Sequence, residues 1–98
     1  MNTTCYTIPL DHPTFAGHFP GSPILPGVVL LDLALQAITD ANHIVLSQCT
    51  LNTVKFIHPA RPGDVLTITH RRADSGAVHF DISTASHQIA SGSVTFLP

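Results

Sequence analysis

Charge is scarce in this chain. Of its 98 residues only 4 are Lys or Arg and 6 are Asp or Glu, a net charge of -2, while 44% are hydrophobic. So few cations under a slightly negative balance leave no electrostatic footprint for nucleic acid. Cysteine is almost absent too. Cys5 and Cys49 are too few for a disulfide scaffold and read as reduced thiols. No basic segment leads into an apolar stretch at the N-terminus, so no secretory signal is read. The apolar run after Pro23 is short for a membrane span and is broken by Asp32. The expected location is the cytoplasm, with no membrane contact. No repeat, low-complexity tract or change of composition divides the chain, so residues 1–98 read as a single domain. That length lies at the lower end of what can hold a core alone. An apolar chain with so little surface charge is expected to bury part of its surface in an oligomer. His12, His43, His58, His70, His79 and His87 show no paired ligand spacing, and the two cysteines add none, so no metal site is expected. His70 and His79 alternate with apolar neighbours and are expected on a solvent or interface face. His12, before Pro13, reads as a surface loop residue.

What the chain does have is concentrated in HFPGSPILPGVVLLDLALQ, residues His18 to Gln36. Pro20, Pro23 and Pro26 each fix φ and remove a backbone donor, so the approach to this segment cannot be helical. Pro26 suits a first helical turn, where a missing N–H costs nothing. From Gly27 to Ile38 the sequence is apolar almost all round, the pattern of a buried helix. Asp32 sits in the middle, and a lone carboxylate there is costly unless paired, protonated or used. It follows Gly27 by five residues, about 7.5 Å along a helix axis. The Gly27 N–H is a free donor at the helix start, and the absence of Cβ lets a ligand approach closely. A carbonyl oxygen held there is polarised as in an oxyanion hole. An imidazole and a carboxylate beside a polarised carbonyl suit proton transfer at the neighbouring carbon. The alternative is a packing helix whose Asp32 is hydrogen-bonded to a neighbouring chain.

The remaining pattern is mostly strand. Thr4 to Leu10 alternates weakly and predicts a first strand, and Asp11 to Leu25 predicts a loop. One helix is expected from Pro26 to about Ser47. Strands are expected over Leu51–Ile57, Val65–Arg71, Val78–Ser83 and Ile89–Leu97. Turns fall at Arg61-Pro62-Gly63-Asp64 and Asp74-Ser75-Gly76. One apolar helix followed by an antiparallel meander implies an α+β fold, with a curved antiparallel sheet wrapped around one long central helix.

The quoted segment resembles the β-hydroxyacyl-(acyl carrier protein) dehydratases of the FabZ/FabA family. GHFPGSPILPG (Gly17 to Gly27) looks like that family's histidine motif, and LLDLALQ (Leu30 to Gln36) like the part of its central helix that carries the acid. The fourteen-residue step from His18 to Asp32 and the four-residue step from Asp32 to Gln36 both match the family's spacing. A second patch, VKFIHPARPGD (Val54 to Asp64), resembles the family's strand and turn after the helix. The acid is Asp, as in the FabA branch, inside a FabZ-like GHFPG loop. The chain begins where the longer dehydratases are already under way, so their N-terminal helix and first strand are expected to be missing.

This resemblance implies a hotdog fold, at least dimeric, as a homodimer, a trimer of dimers or a heterodimer with a related dehydratase. It implies dehydration of a 3-hydroxyacyl thioester to a trans-2-enoyl thioester, in synthesis of fatty-acid, polyketide or aryl polyene type. The substrate would be carried on the phosphopantetheine of an acyl carrier protein or on CoA, with no metal or redox cofactor. His18 of one subunit would take the C2 proton. Asp32 of the other, kept protonated by apolar surroundings, would help the hydroxyl leave as water. Gly27 N–H would hold the thioester carbonyl, and Gln36 would orient the Asp32 carboxyl group. Phe15 and Phe19 flank the histidine and could line an acyl tunnel, though core packing is their default reading. Lys55, Arg61, Arg71 and Arg72 are all the Lys and Arg of the chain. They read equally as solvated strand ends or as a docking patch for an acidic carrier protein. Two rivals stand beside this reading. One is a hotdog thioesterase that directs water at the carbonyl, and the other is a non-catalytic partner subunit of a heterodimer.

Overall fold

Thr, Val and Ile supply the β-branched residues that favour pleated backbone in this chain, and they place its strands. The computed structural model describes residues 2–13, 24–42 and 49–96. Within them run β1 (Asn2–Thr7), α1 (Gly27–Asn42), β2 (Cys49–Phe56), β3 (Val65–Arg72), β4 (Val78–Ser83) and β5 (Gln88–Phe96). The strands form one antiparallel sheet in the order β1-β3-β4-β5-β2. Among the described residues no helix is long and apolar enough to cross a membrane.

Strand alternation sorts the sheet into two faces. Leu66, Ile68, Val78, Phe80, Ile82, Ala90 and Val94 are buried on the inner face, where Leu30, Ala34, Ala37 and Ile38 of α1 join them in one core. Cross-strand pairs such as Ile68–Ile82, Ile82–Ala90 and Val78–Val94 keep these rows in register. Two turns between strands are set by glycine, since Gly63 (φ 85°) and Gly76 (φ 91°) adopt left-handed backbone that costs other residues energy.

Several expectations are corrected here. α1 is described as far as Asn42, whose side-chain amide donates to the Ile38 carbonyl at 2.8 Å, and the expected helix end near Ser47 lies outside the described residues. β1 runs from Asn2 to Thr7 rather than from Thr4 to Leu10. Pro9 has no N–H to offer a ladder, and the chain turns there, with His12 N–H donating to the Pro9 carbonyl at 3.3 Å. The meander is β3-β4-β5 only. β2 instead crosses to the far edge and pairs with β5, so both β1 and β2 are edge strands.

His70 is the sharpest correction. It was expected on a solvent or interface face, but it is 3% exposed. It has the parity of Leu66 and Ile68, so the pleat points it inward. Its Nε2 is buried with no hydrogen-bond partner among the described residues. Burial pushes its pKa below the usual imidazole value, against the opposing pull of a hydrogen bond to the Ala37 backbone. His79, on the opposite face, is half-buried.

Candidate active site

α1 is not apolar all round once it is folded. Leu30, Ala34, Ala37 and Ile38 form its buried stripe. Val28, Asp32, Gln36 and Asp40, each four residues apart, form an exposed stripe. Asp32 therefore stands on the open side of the helix, and the apolar enclosure expected for it is not provided within one chain. Its partner is local, because Gln36 Nε2 donates to Asp32 Oδ2 at 3.0 Å. This is the contact that the four-residue spacing allows, and it fixes the direction of the carboxyl group.

The helix start is held by the loop after β2. Leu25 N–H donates to the Ala60 carbonyl at 2.8 Å, and Val29 and Leu30 N–H turn back to the Pro26 carbonyl at 3.0 and 3.3 Å. Gly27 N–H, in the first turn, meets no acceptor among the described residues. A Cβ at Gly27 would sit 2.9 Å from Phe56 Cζ, so only glycine lets the Phe56 ring lie against this turn. Beside them opens a hollow of about 310 Å³ lined by Ile24, Leu25, Gly27, Leu30, Phe56, Ile57, His58 and Pro59. An apolar hollow with a polarising amide at its edge can take an acyl chain and hold its carbonyl. Asp32 does not line this hollow; it stands about one and a half turns further along the helix.

His18, Phe15 and Phe19 lie outside the described residues. The four cations do not form one patch. Lys55 and Arg71 both line a second hollow of about 340 Å³ on the outer sheet face, beside Thr53, His79, Asp81 and Ser91. Arg72 follows Arg71 with the opposite pleat. Arg61 sits in the turn before β3, a strand length (roughly 20 Å) from Arg71. The Arg61 backbone N–H donates to Asp64 Oδ2 at 2.9 Å, which closes that turn.

One residue at the hollow was not read from the sequence as part of a site. His58 lines it and stacks on His87, with ring centroids 3.8 Å apart and planes within 16°. Ile57 and His58 N–H both donate to the Ile89 carbonyl, at 2.8 and 3.3 Å, and this pairing brings the two histidines together. Twenty-nine residues separate them in the chain, so no local spacing could signal the contact.

One helix against the inner face of a five-stranded antiparallel sheet is the hotdog architecture. The profile of the ApeI-like family, described as ApeI dehydratase, matches residues 2–93, and the chain belongs to that family. It is 32% identical over 103 residues to a 3-hydroxyacyl-[acyl-carrier-protein] dehydratase FabZ of Chlamydia trachomatis, an alignment covering 92% of this chain and 67% of that protein. In structure it is similar to the dehydratase heterocomplex ApeI:P from Xenorhabdus doucetiae, with TM-score 0.77, 21% identity and coverage of 95% of this chain and 83% of that one. It is also similar to a trans-AT PKS dehydratase domain from Brevibacillus brevis, with TM-score 0.77, 19% identity and coverage of 97% of this chain and 39% of that one. At these identities the structural likenesses speak for the fold.

Proposed function

We propose that this chain dehydrates a 3-hydroxyacyl thioester to the trans-2-enoyl thioester. The observation that carries this reading is the division of labour along α1. Its first turn offers the Gly27 amide at the edge of an apolar hollow, and the same helix presents Asp32, aimed by Gln36, on its open side. Membership of a dehydratase family gives that arrangement its chemistry. With the thioester carbonyl on Gly27 N–H, negative charge developing on the oxygen is stabilised and the C2 hydrogen becomes more acidic. His18 takes the C2 proton, the C2–C3 double bond forms, and the C3–O bond breaks as Asp32 gives the departing hydroxyl its proton. One water leaves. The carrier is a phosphopantetheine arm on acyl carrier protein or CoA.

The exposed setting of Asp32 supports a site completed by a second subunit. A carboxyl group that must donate a proton works best where water is excluded, and one chain leaves it open. The free edge of β2 lies on the same molecule with Leu51, Phe56 and the adjoining Ile57 exposed. In this reading His18 arrives from the partner. A second reading, an inactive chain serving a catalytic partner, takes its support from the heterocomplex of the Xenorhabdus relative.

The test is incubation with a crotonyl thioester in deuterated water. Hydration of the double bond with deuterium entering C2 is expected. His18→Ala should abolish C2 exchange while leaving the melting temperature and thioester affinity largely intact. Retained exchange in a stable His18→Ala protein removes the assigned base. Release of free thiol without hydration means a thioesterase. Inactivity of the chain alone, restored by an unlike partner, means the supporting subunit.

A further inference from the structure

Among the described residues, His58 is the one side chain lining the helix-start hollow that carries a hydrogen-bonding group; its described neighbours there are apolar or, at Gly27, backbone only. Its Nδ1 lies 2.9 Å from the Pro59 carbonyl oxygen. A carbonyl can only accept, so Nδ1 carries the hydrogen, and in that tautomer Nε2 is left as an acceptor. The ring is not loose. His87 is stacked on its face, and the His58 and Ile57 backbone is tied to the Ile89 carbonyl. His87 is held in turn, its Nδ1 lying 3.1 Å from Ser86 Oγ. A fixed acceptor at the rim of an apolar hollow discriminates by what donor is brought to it.

We infer that His58 is a specificity-determining residue whose Nε2 accepts a hydrogen bond from an amide N–H on the arm that carries the acyl thioester. This inference rests on the dehydratase reading only for the presence of a thioester in the hollow. With the acyl chain among Ile24, Leu30 and Phe56 and the carbonyl on Gly27 N–H, the arm leaves across the rim that His58 and Pro59 form. An arm built of secondary amides, as a pantetheine is, carries N–H donors there. A plain alkyl thioester carries none. His58 acts on binding, whereas the proton transfers belong to His18 and Asp32.

The experiment compares two unreactive probes, S-butyryl-N-acetylcysteamine, which has an amide, and S-ethyl butanethioate, which has none. Both are titrated into the full chain as it assembles in solution and followed by NMR. His58→Phe keeps a flat ring to stack on His87 but removes the acceptor, and His58→Gln returns an acceptor oxygen at similar reach. The wild type is expected to prefer the amide probe. His58→Phe should cut that preference by about 3- to 10-fold, the range of one neutral hydrogen bond, and His58→Gln should restore part of it. With the crotonyl forms of the same thioesters, the loss should appear in KM rather than in kcat. An unchanged preference in folded His58→Phe, or none in the wild type, overturns the inference. So does a fall in kcat with the preference intact, which makes His58 the base instead. Because binding is read on unreactive probes, a wild type that hydrates nothing would sink the dehydratase reading while this ratio still decides the role of His58.

Discussion

At the scale of single residues, Asp32 and His70 show how position in the fold decides what a polar group can do. Asp32 is exposed and held by Gln36. Asp32→Asn keeps the shape and removes the proton donor, so dehydration is expected to fall on the order of 100-fold or more, measured as steady-state turnover of a 3-hydroxyacyl thioester. The melting temperature should barely move, because Asn keeps the shape and its amide oxygen can still accept from Gln36. Near wild-type turnover would make Asp32 structural. His70 is the opposite case, a neutral imidazole enclosed by the sheet and α1. Its folded pKa is lowered, so the unfolded chain binds its proton more readily. The stability this contributes is fully present above the ordinary imidazole pKa and is lost as pH falls below about 6.5. The slope from one such group cannot exceed about 1.4 kcal/mol per pH unit. Wild-type protein should therefore lose stability between pH 7 and 5 more steeply than His70→Leu, as read by denaturant titration at each pH. Parallel curves would mean that His70 does not stay neutral in the fold.

The elements follow from local rules where those rules act alone. Pro26 stands just before α1, and the Gly63 and Gly76 turns follow from Pro-Gly and Asp-Ser-Gly. The alternation of β3 and β4 was legible, and with it the inward pointing of Leu66, Ile68, Val78, Phe80 and Ile82. His70 shares that alternation, so its burial was written in the same pattern. The expectation set His70 in alternation with the apolar positions, whereas it lies two residues from Ile68 and four from Leu66 and so shares their face. Close packing between elements was not legible. Gly92 of β5 faces Phe80 of β4, and a Cβ there would lie 2.5 Å from Phe80 Cζ and 2.7 Å from the Thr53 carbonyl oxygen. One contact is backbone and cannot swing away. Gly92→Ala is expected to lower stability by about 1–3 kcal/mol, as overpacking usually does. Gly27→Ala meets only the end of the exposed Phe56 ring, so it should cost less stability and act mainly by displacing the wall of the hollow. Thermal melts of the two variants side by side test this order, and equal losses would count against it.

At the scale of the whole molecule the sheet edges come forward, since β1 and β2 close the sheet on either side. β2 exposes six of its eight residues in the single chain, and an unpaired, partly apolar edge favours association. If His18 of one subunit serves Asp32 of the other, two inactive variants can complement. Mixed dimers of His18→Ala and Asp32→Asn hold one intact site and one doubly altered site. After random exchange of equal amounts, about a quarter of wild-type activity should return. No recovery, with exchange verified by mass, would place both groups in one subunit.

The family was read from the resemblance of its motifs; beyond that, the sequence alone determined what depends on neighbours a few residues apart: the helix start, the turns, the strand alternation and the Asp32–Gln36 pair. These rest on φ restriction and on the 2.0- and 3.6-residue periods, which act within a segment. Tertiary structure decided which edge β2 occupies, that Asp32 faces outward, that Lys55 and Arg71 share the outer face while Arg61 lies in a distant turn, and that His58 meets His87. Each depends on pairing between segments far apart in the chain. A periodic pattern marks which residues share a face, but what covers that face is chosen only when strands and helix find one another.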